Sequence, residues 1–221
     1  MNGSVPKVSL HRQAILDAVR VAEDRHTRWQ SYQKPHYPNK PLTHLRGALG
    51  EIAAEKWLSE QGVDFMPCFR KQSSEKNKPD FLIYPRKAIY LNMEVKTWSA
   101  AHWLPLGRCI TPKQLHILSE IKCVDILLWL VVHDEEFIQN LPANAAWEEI
   151  HQALGGVSVV DITLAGWNWL VEVNDWTLKP TGHGEEKILN YQAELSDMHD
   201  TGTLVKLLRR WPAHFHQDDT H

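Results

Sequence analysis

The sequence predicts an α/β protein, because segments with the period of a strand are interleaved with segments that carry the signals of a helix. Apolar and polar residues alternate from Ile89 to Lys96, which is typical of a strand with one buried face. Residues 124–132 form a nearly continuous apolar run, which is typical of a strand buried on both faces. Between these two strands, Thr111 begins a segment with the capping residues of a helix.

The N-terminal part of the chain predicts two helices. Residues 8–30 place apolar side chains among charges at the spacing of an amphipathic helix. Three prolines within residues 34–41 predict a loop or an ordered connector. Residues 45–61 form the second predicted helix, on which Glu51 and Glu55 lie four residues apart and can act together. The alternative interpretation of these two glutamates is a solvated helix face.

Two short strands are predicted next, separated by a polar loop. Residues 63–67 form the first strand, and residues 78–84 form the second, which opens with Asp80. The loop at residues 71–78 contains three lysines immediately before Asp80. Both interpretations of this loop stay open: it is either a solvated hairpin tip or a loop that contacts phosphates.

Downstream of the apolar strand the elements are predicted from shorter patterns. A helix is predicted at residues 144–154, a pair of strands at residues 157–164 and 168–173, and a loop at residues 181–184. A final helix is predicted around residues 204–210, and the polar residues 212–221 are expected to fray.

Composition limits the classes of function. The chain has 221 residues, of which 43% are hydrophobic, enough for one domain or for one domain with appendages. A net charge of −3 counts against a protein that coats nucleic acid through many phosphate contacts, although a local basic face remains compatible with it. We expect most of the ten tryptophans to pack in the core or at its rim rather than to stack on bases.

The same sequence features predict a cytoplasmic protein without a membrane segment. No window is apolar enough for a membrane span, and residues 1–4 lack the basic and apolar pattern of a secretory leader. The three cysteines are odd in number and widely spaced, which favours a reducing compartment. The thirteen histidines have no zinc-ligand spacing.

The residues that carry chemistry lie on the two strands around residues 80–96. Adjacent strands can bring the carboxylates of Asp80 and Glu94 together, and two such carboxylates can hold a hard cation such as Mg²⁺. Lys96 lies two residues after Glu94 and therefore points from the same face of the strand. A lysine in that position can polarise a water molecule or stabilise a transition-state anion. The combination is suited to metal-assisted hydrolysis of phosphodiesters.

Pro79-Asp80, followed by Glu94-Val95-Lys96, resembles the signature of the PD-(D/E)XK nuclease superfamily, which includes restriction endonucleases, Holliday-junction resolvases and RecB-like nucleases. The segment from Gly50-Glu51 to Gly62 resembles the helix that precedes the catalytic strands in resolvase-like members. The resemblance covers roughly residues 45–132. It implies a restriction-endonuclease-like core of α-β-β-β-α-β order, with a mixed central sheet flanked by helices. Residues 1–44 and 133–221 would then be N- and C-terminal additions packed on this nuclease core.

The resemblance also implies roles for individual residues. Asp80 and Glu94 would hold the metal, Glu51 would complete or water-bridge its shell, and the carbonyl of Val95 would be a further ligand. Lys96 would position the attacking water. Candidate contacts to nucleic acid are Lys76, Lys78, Lys113 and Gln114, and a capping or solvated role for the last two remains equally open.

The function expected from this resemblance is a Mg²⁺-dependent endonuclease acting on DNA, with Mn²⁺ as a substitute. A restriction or phage-defence role is expected, with a homodimer as the economical assembly and a methyltransferase or another defence protein as a possible partner. Two alternatives stay open: a nuclease for junctions, flaps or RNA, and a non-catalytic binding protein that uses the same fold.

Overall fold

A six-stranded mixed sheet is the centre of the protein in the computed structural model, which describes residues 5–30, 40–70, 78–86, 89–134, 137, 141–142, 145–181 and 188–210. The strands in these residues are Lys7–His11 (β1), Phe65–Pro67 (β2), Phe81–Arg86 (β3), Ile89–Ser99 (β4), Cys109–Ile110 (β5), Ile126–His133 (β6), Val159–Trp169 (β7), Thr177–Thr181 (β8) and Ile188–Gln192 (β9). The central sheet has the order β1-β7-β6-β4-β3-β2, and β5-β9-β8 form a second, smaller sheet.

The central sheet is mixed because one of its connections is a crossover. β2, β3 and β4 form an antiparallel meander, whereas β4 and β6 run parallel. β7 pairs antiparallel with β6, and β1 pairs antiparallel with the far edge of β7. The observed class is therefore mixed α/β, as the sequence predicts, and strands from both ends of the chain join the central sheet.

The helices flank this sheet. They are Arg12–Gln30 (α1), Lys40–Glu60 (α2), Ala100–Leu106 (α3), Pro112–His116 (α4), Trp147–Leu154 (α5) and Thr201–Arg209 (α6). α4 begins with the predicted capping box, in which the side chain of Thr111 accepts from the N–H of Gln114 and the side chain of Gln114 accepts from the N–H of Thr111. It continues into a π-helical turn at Ile117–Ile121, which ends just before Lys122.

β6 separates two hydrophobic clusters. Leu128 and Leu130 face the larger cluster, which contains the buried sides of α1 and α2. Leu127 and Trp129 face the opposite way, into a cluster formed with the small sheet and its neighbouring segments. The prediction that this strand is buried on both faces is confirmed.

Two predictions about local structure are wrong. Residues 7–11 form β1 rather than the start of the first helix, because they pair with β7 and alternate between buried and exposed positions. The two strands predicted at 157–164 and 168–173 are one strand, β7, followed by a 3₁₀ turn at Leu170–Asp175. Gly166, with φ of +157°, lies where the register with β6 shifts, so the strand continues through a bulge at this glycine.

Other predictions concern residues at the edges of the described ranges. Residues 71–77 of the lysine-rich loop, residues 182–184 and residues 212–221 lie outside the described residues. Thr181 itself ends β8, and the sequence did not predict the small sheet to which this strand belongs.

The tryptophans pack as expected wherever their side chains are described. Trp57, Trp129, Trp167 and Trp176 are buried. Trp98, Trp103, Trp147 and Trp169 are partly buried against the two clusters. No helix in the described part of the chain is long and apolar enough to cross a membrane.

Candidate active site

Antiparallel pairing brings Asp80 and Glu94 together. Phe81 of β3 lies opposite Met93 of β4, so the next residue outward on each strand is one of the two acids. The Asp80 carboxylate accepts a hydrogen bond of 2.8 Å from the backbone N–H of Val95. Its own carbonyl accepts from the N–H groups of Cys68 and Phe69, which fixes the Asp80 backbone at the end of β3. Asp80 is therefore held at the point where β4 presents Glu94.

Helix α2 brings Glu51 near enough to Asp80 for its charge to act on that carboxylate. Gly50 lies so close to β4 that a Cβ at this position would be 1.9 Å from Oγ1 of Thr97. The missing side chain is therefore what lets the helix approach the strand. Glu51 follows directly, is buried, and accepts a 2.6 Å hydrogen bond from Arg25 of α1.

Two lysines bind the Glu94 carboxylate. Lys96, on the same strand, donates to Oε1 at 3.0 Å. Lys122, immediately after the π-helical turn, donates to Oε1 at 2.9 Å and to Oε2 at 2.8 Å. The Glu94 side chain is only 8% exposed, so these ammonium groups replace much of its hydration. The expected neighbours Glu94 and Lys96 are in contact, and Lys122 is an additional member of the cluster.

The acids respond to one another electrostatically. Burial and the nearby charges of Glu94 and Glu51 raise the pKa of Asp80 to about 8. Burial on its own would raise the pKa of Glu94, but Lys96 and Lys122 outweigh it and hold that pKa below its ordinary value. Asp80 is therefore surrounded by excess negative charge, whereas the negative charge of Glu94 is balanced by the two lysines.

A hard divalent cation fits the chemistry of this cluster. Carboxylate oxygens are the ligands that Mg²⁺ prefers, and a cation beside Asp80 would offset the negative charges of Glu94 and Glu51 that act on this carboxylate. Among the described residues, no three His, Cys, Asp or Glu side chains are already arranged as the ligands of an ion. Both Glu94 oxygens are instead hydrogen-bonded to ammonium groups.

A cleft of about 490 Å³ opens beside Lys96. β3 begins opposite Met93, so β4, which continues to Ser99, extends past it, and this extension forms one side of the cleft. α2, α3, the start of α4 and the small sheet supply the other sides. The residues that line the cleft include Arg46, Lys96, Trp98, His102, Gln114 and Asn190. Of the clustered acids and bases, Lys96 is the member that lines the cleft.

The candidate contacts to nucleic acid are distributed unevenly. Gln114 lines the cleft, although its side chain also closes the capping box of α4. Lys113 is exposed on the same helix, and Lys78 is exposed two residues before Asp80. Neither lysine is among the residues that line the cleft. Lys76 lies outside the described residues.

Sequence reasoning missed Arg25 and Lys122. Arg25 lies three residues after the buried Ala22, at helical spacing on the buried side of α1, and a charge on such a stripe is a detectable signal. Lys122 gives a weaker signal: a basic residue between a helix and a buried strand that runs parallel to β4. Glu55, predicted to act with Glu51, instead binds Arg70.

Comparisons with known proteins add no relative. No family model matches the sequence, and no match was found among curated proteins or among solved structures. The case for a function is therefore made by the residues and geometry described above.

Proposed function

We propose that this protein is a Mg²⁺-dependent endonuclease that hydrolyses DNA phosphodiester bonds, with Mn²⁺ able to replace Mg²⁺. The observation that supports the proposal best is the cluster of Asp80, Glu94 and Glu51 with Lys96, of which Lys96 lines the cleft. Three carboxylates and a lysine brought together from a helix and two strands are more than packing requires, because burying charges is costly.

Each side chain has a role in this proposal. Asp80 and Glu94 hold the ion, Glu51 completes or water-bridges its shell, and the Val95 carbonyl is a further ligand. When bound, a divalent cation lowers the pKa of water and stabilises charge on the phosphoryl oxygens. Lys96, 21% exposed and on the cleft side, orients the attacking water and stabilises the pentacovalent anion.

The cleft is the proposed path of the substrate backbone. Arg46 and Gln114 line it, and a guanidinium and an amide can both donate hydrogen bonds to phosphate. The Nε of Arg46 already donates to the buried carboxylate of Asp134, so a phosphate contact would use its other N–H groups. Lys78, Lys113 and Lys76 are proposed as outer contacts that add electrostatic attraction without sequence specificity.

A cytoplasmic restriction or phage-defence role follows as part of the proposal. A double-strand break needs two hydrolytic events, and a symmetric homodimer supplies one reactive cluster for each strand. A partner that marks or presents the DNA, such as a methyltransferase, would provide the discrimination that a single small domain lacks.

The test is a panel of substrates incubated with the purified protein. Plasmid, nicked, single-stranded and branched DNA, together with RNA, are each treated with Mg²⁺, Mn²⁺, Ca²⁺ or EDTA. We expect cleavage of DNA with Mg²⁺ and Mn²⁺, binding without turnover with Ca²⁺, and no cleavage with EDTA. Preferential cleavage of branched DNA or of RNA would identify that nucleic acid as the substrate instead of the proposed one. Cleavage that survives EDTA would refute the metal, and binding without any cleavage would identify a non-catalytic protein.

A further inference from the structure

The segment that carries Lys122 is clamped to the strand that carries Glu94. Asn92 of β4 donates from its side chain to the Cys123 carbonyl at 2.7 Å and from its backbone N–H to the Asp125 carboxylate at 2.7 Å. The N–H of Asp125 donates in return to the Asn92 carbonyl. Glu94 lies two residues further along the same strand, so the clamp fixes Lys122 relative to Glu94.

The backbone around Lys122 is unusual. Its N–H closes the π-helical turn by donating to the Ile117 carbonyl at 2.9 Å. Cys123, the next residue, has φ of +49°, a conformation that residues with a Cβ adopt at a cost. A costly conformation persists only where the surroundings enforce it. The strain lies directly beside the lysine that reaches both oxygens of Glu94.

Charge counting shows what this lysine does. The cluster joins the acids Glu51, Asp80 and Glu94 with the bases Arg25, Lys96 and Lys122, so the metal-free site is balanced when all six are ionised. Adding a divalent cation with every base in place would leave a poorly hydrated site with two excess positive charges. The Lys122 side chain is 18% exposed and has a flexible stem, so its ammonium group has a route to water.

We propose that Lys122 is a tethered counter-cation, which binds the Glu94 carboxylate in the metal-free protein and must leave it when a divalent cation binds. Lys122 then lowers the affinity of the site for its metal and keeps Glu94 in place until the ion arrives. This inference rests on the proposed function, because it takes the acidic cluster to be the metal site.

The test is titration of Mn²⁺ into protein without nucleic acid, followed by calorimetry or by the Mn²⁺ paramagnetic resonance signal. Lys122→Met keeps the apolar stem and removes the charge, so we expect its affinity for Mn²⁺ to exceed that of the parent by about tenfold or more. Lys122→Arg keeps the charge and should bind close to the parent. Lys206→Met is the matched control, because Lys206 is an exposed lysine on α6.

Two further variants separate this inference from the proposed function. If Asp80→Asn and Glu94→Gln bind Mn²⁺ as the parent does, the acidic cluster is not the metal site and both proposals fail. If these variants lose Mn²⁺ while Lys122→Met binds it no tighter than the parent, only the counter-cation role is overturned. Weaker binding by Lys122→Met would likewise overturn it, because the lysine would then be positioning Glu94 for the ion. Lys122→Gln repeats the test if Lys122→Met fails to fold.

Discussion

Lys96 lies both against the buried carboxylate of Glu94 and on the cleft. Its ammonium group is 3.0 Å from Glu94, and its exposed fraction faces the groove in which a phosphodiester would lie. A group in this position can act on the reacting atoms, whereas Arg25 acts through Glu51, whose carboxylate it holds at 2.6 Å.

Replacing Lys96 separates chemistry from binding. Lys96→Ala should bind metal and DNA within a few-fold of the parent, whereas cleavage should fall by about 10²-fold or more, as expected for the loss of one transition-state group. Lys96→Arg should also be impaired, because a planar, strongly basic group cannot exchange protons as an ammonium does. Single-turnover cleavage and equilibrium binding measure the two effects. Parent-like cleavage by Lys96→Arg would reduce this residue to a counter-charge and transfer the chemical role to Lys122.

Asp80 makes stability depend on pH in the metal-free protein. Its pKa is about 8 when folded, against an ordinary value of 3.8, so between these values the folded state binds more protons than the unfolded chain. The free energy of unfolding contributed by this group therefore falls as the pH rises through that window. The pKa of Glu94 is lowered in the folded state, so its contribution to the free energy of unfolding has the opposite pH dependence. That contribution is lost only as the pH falls below the range in which a glutamate ordinarily titrates.

Asp80→Asn removes this ionisation. Between about pH 5 and about pH 8 the parent should lose stability that the variant keeps, because only the parent's folded state has to hold a proton on Asp80 that the unfolded chain has released. Denaturant unfolding in EDTA at both values measures the difference. If the free energy of unfolding changed equally with pH in the parent and in the variant, the Asp80 carboxyl would not be held in its neutral form.

At the scale of single elements, α2 is the helix that completes the site. Two of its glycines permit close approaches to different elements, α1 and β4. Gly50 faces Thr97 of β4, and a Cβ on Gly47 would be 3.1 Å from the guanidinium of Arg25. The helix can therefore lie against the sheet while Arg25 passes over it to reach Glu51. The position of Glu51 therefore depends on these two glycines, because a side chain at either position would block the close approach.

Gly50→Ala tests this dependence. The added Cβ would overlap Oγ1 of Thr97 and force α2 away from β4, so we expect a loss of about 1–3 kcal/mol in the free energy of unfolding. Cleavage should fall with it, because Glu51 moves with the helix. Gly156→Ala is the control, since a Cβ there meets no atom within 4 Å.

A second substitution shows whether the clash is the cause. Thr97→Ala removes both Oγ1 and Cγ2, the atoms that a Cβ on residue 50 would meet at 1.9 and 2.9 Å. Combined with Gly50→Ala, it should restore part of the stability and of the cleavage. A double variant no better than Gly50→Ala would indicate that the glycine matters for another reason.

At the scale of the whole molecule, the order of the central helices and strands along the chain could be predicted, whereas the pairing of distant strands could not. The alternation at Ile89–Lys96 and the apolar run before His133 report local burial, so β4 and β6 were found from sequence. The sequence predicts a helix at the residues of β1, because these five residues become a strand only by pairing with β7, far away in the chain. The small sheet was missed for a similar reason, since Cys109–Ile110 is too short to give a pattern.

The candidate site shows the same limit. Asp80, Glu94 and Lys96 could be grouped because strand geometry makes them neighbours, and the structure brings them together. Arg25 and Lys122 come from helical segments on either side of the sheet, and their contacts depend on tertiary packing. The cleft depends on the small sheet, so its position could not be predicted without that sheet.

The most direct test of the account is metal-dependent cleavage by Asp80→Ala and Glu94→Ala, compared with Glu148→Ala, which removes an exposed glutamate of α5. We predict that both site variants lose cleavage in Mg²⁺ yet remain folded. Asp80→Ala relieves repulsion among the acids, whereas Glu94→Ala removes the partner of Lys96 and Lys122 and should lower the stability without unfolding the protein. Circular dichroism and thermal unfolding confirm the folded state, and Glu148→Ala should cleave as the parent does. Full activity in both site variants, or their unfolding, would contradict the account by showing that these acids are structural.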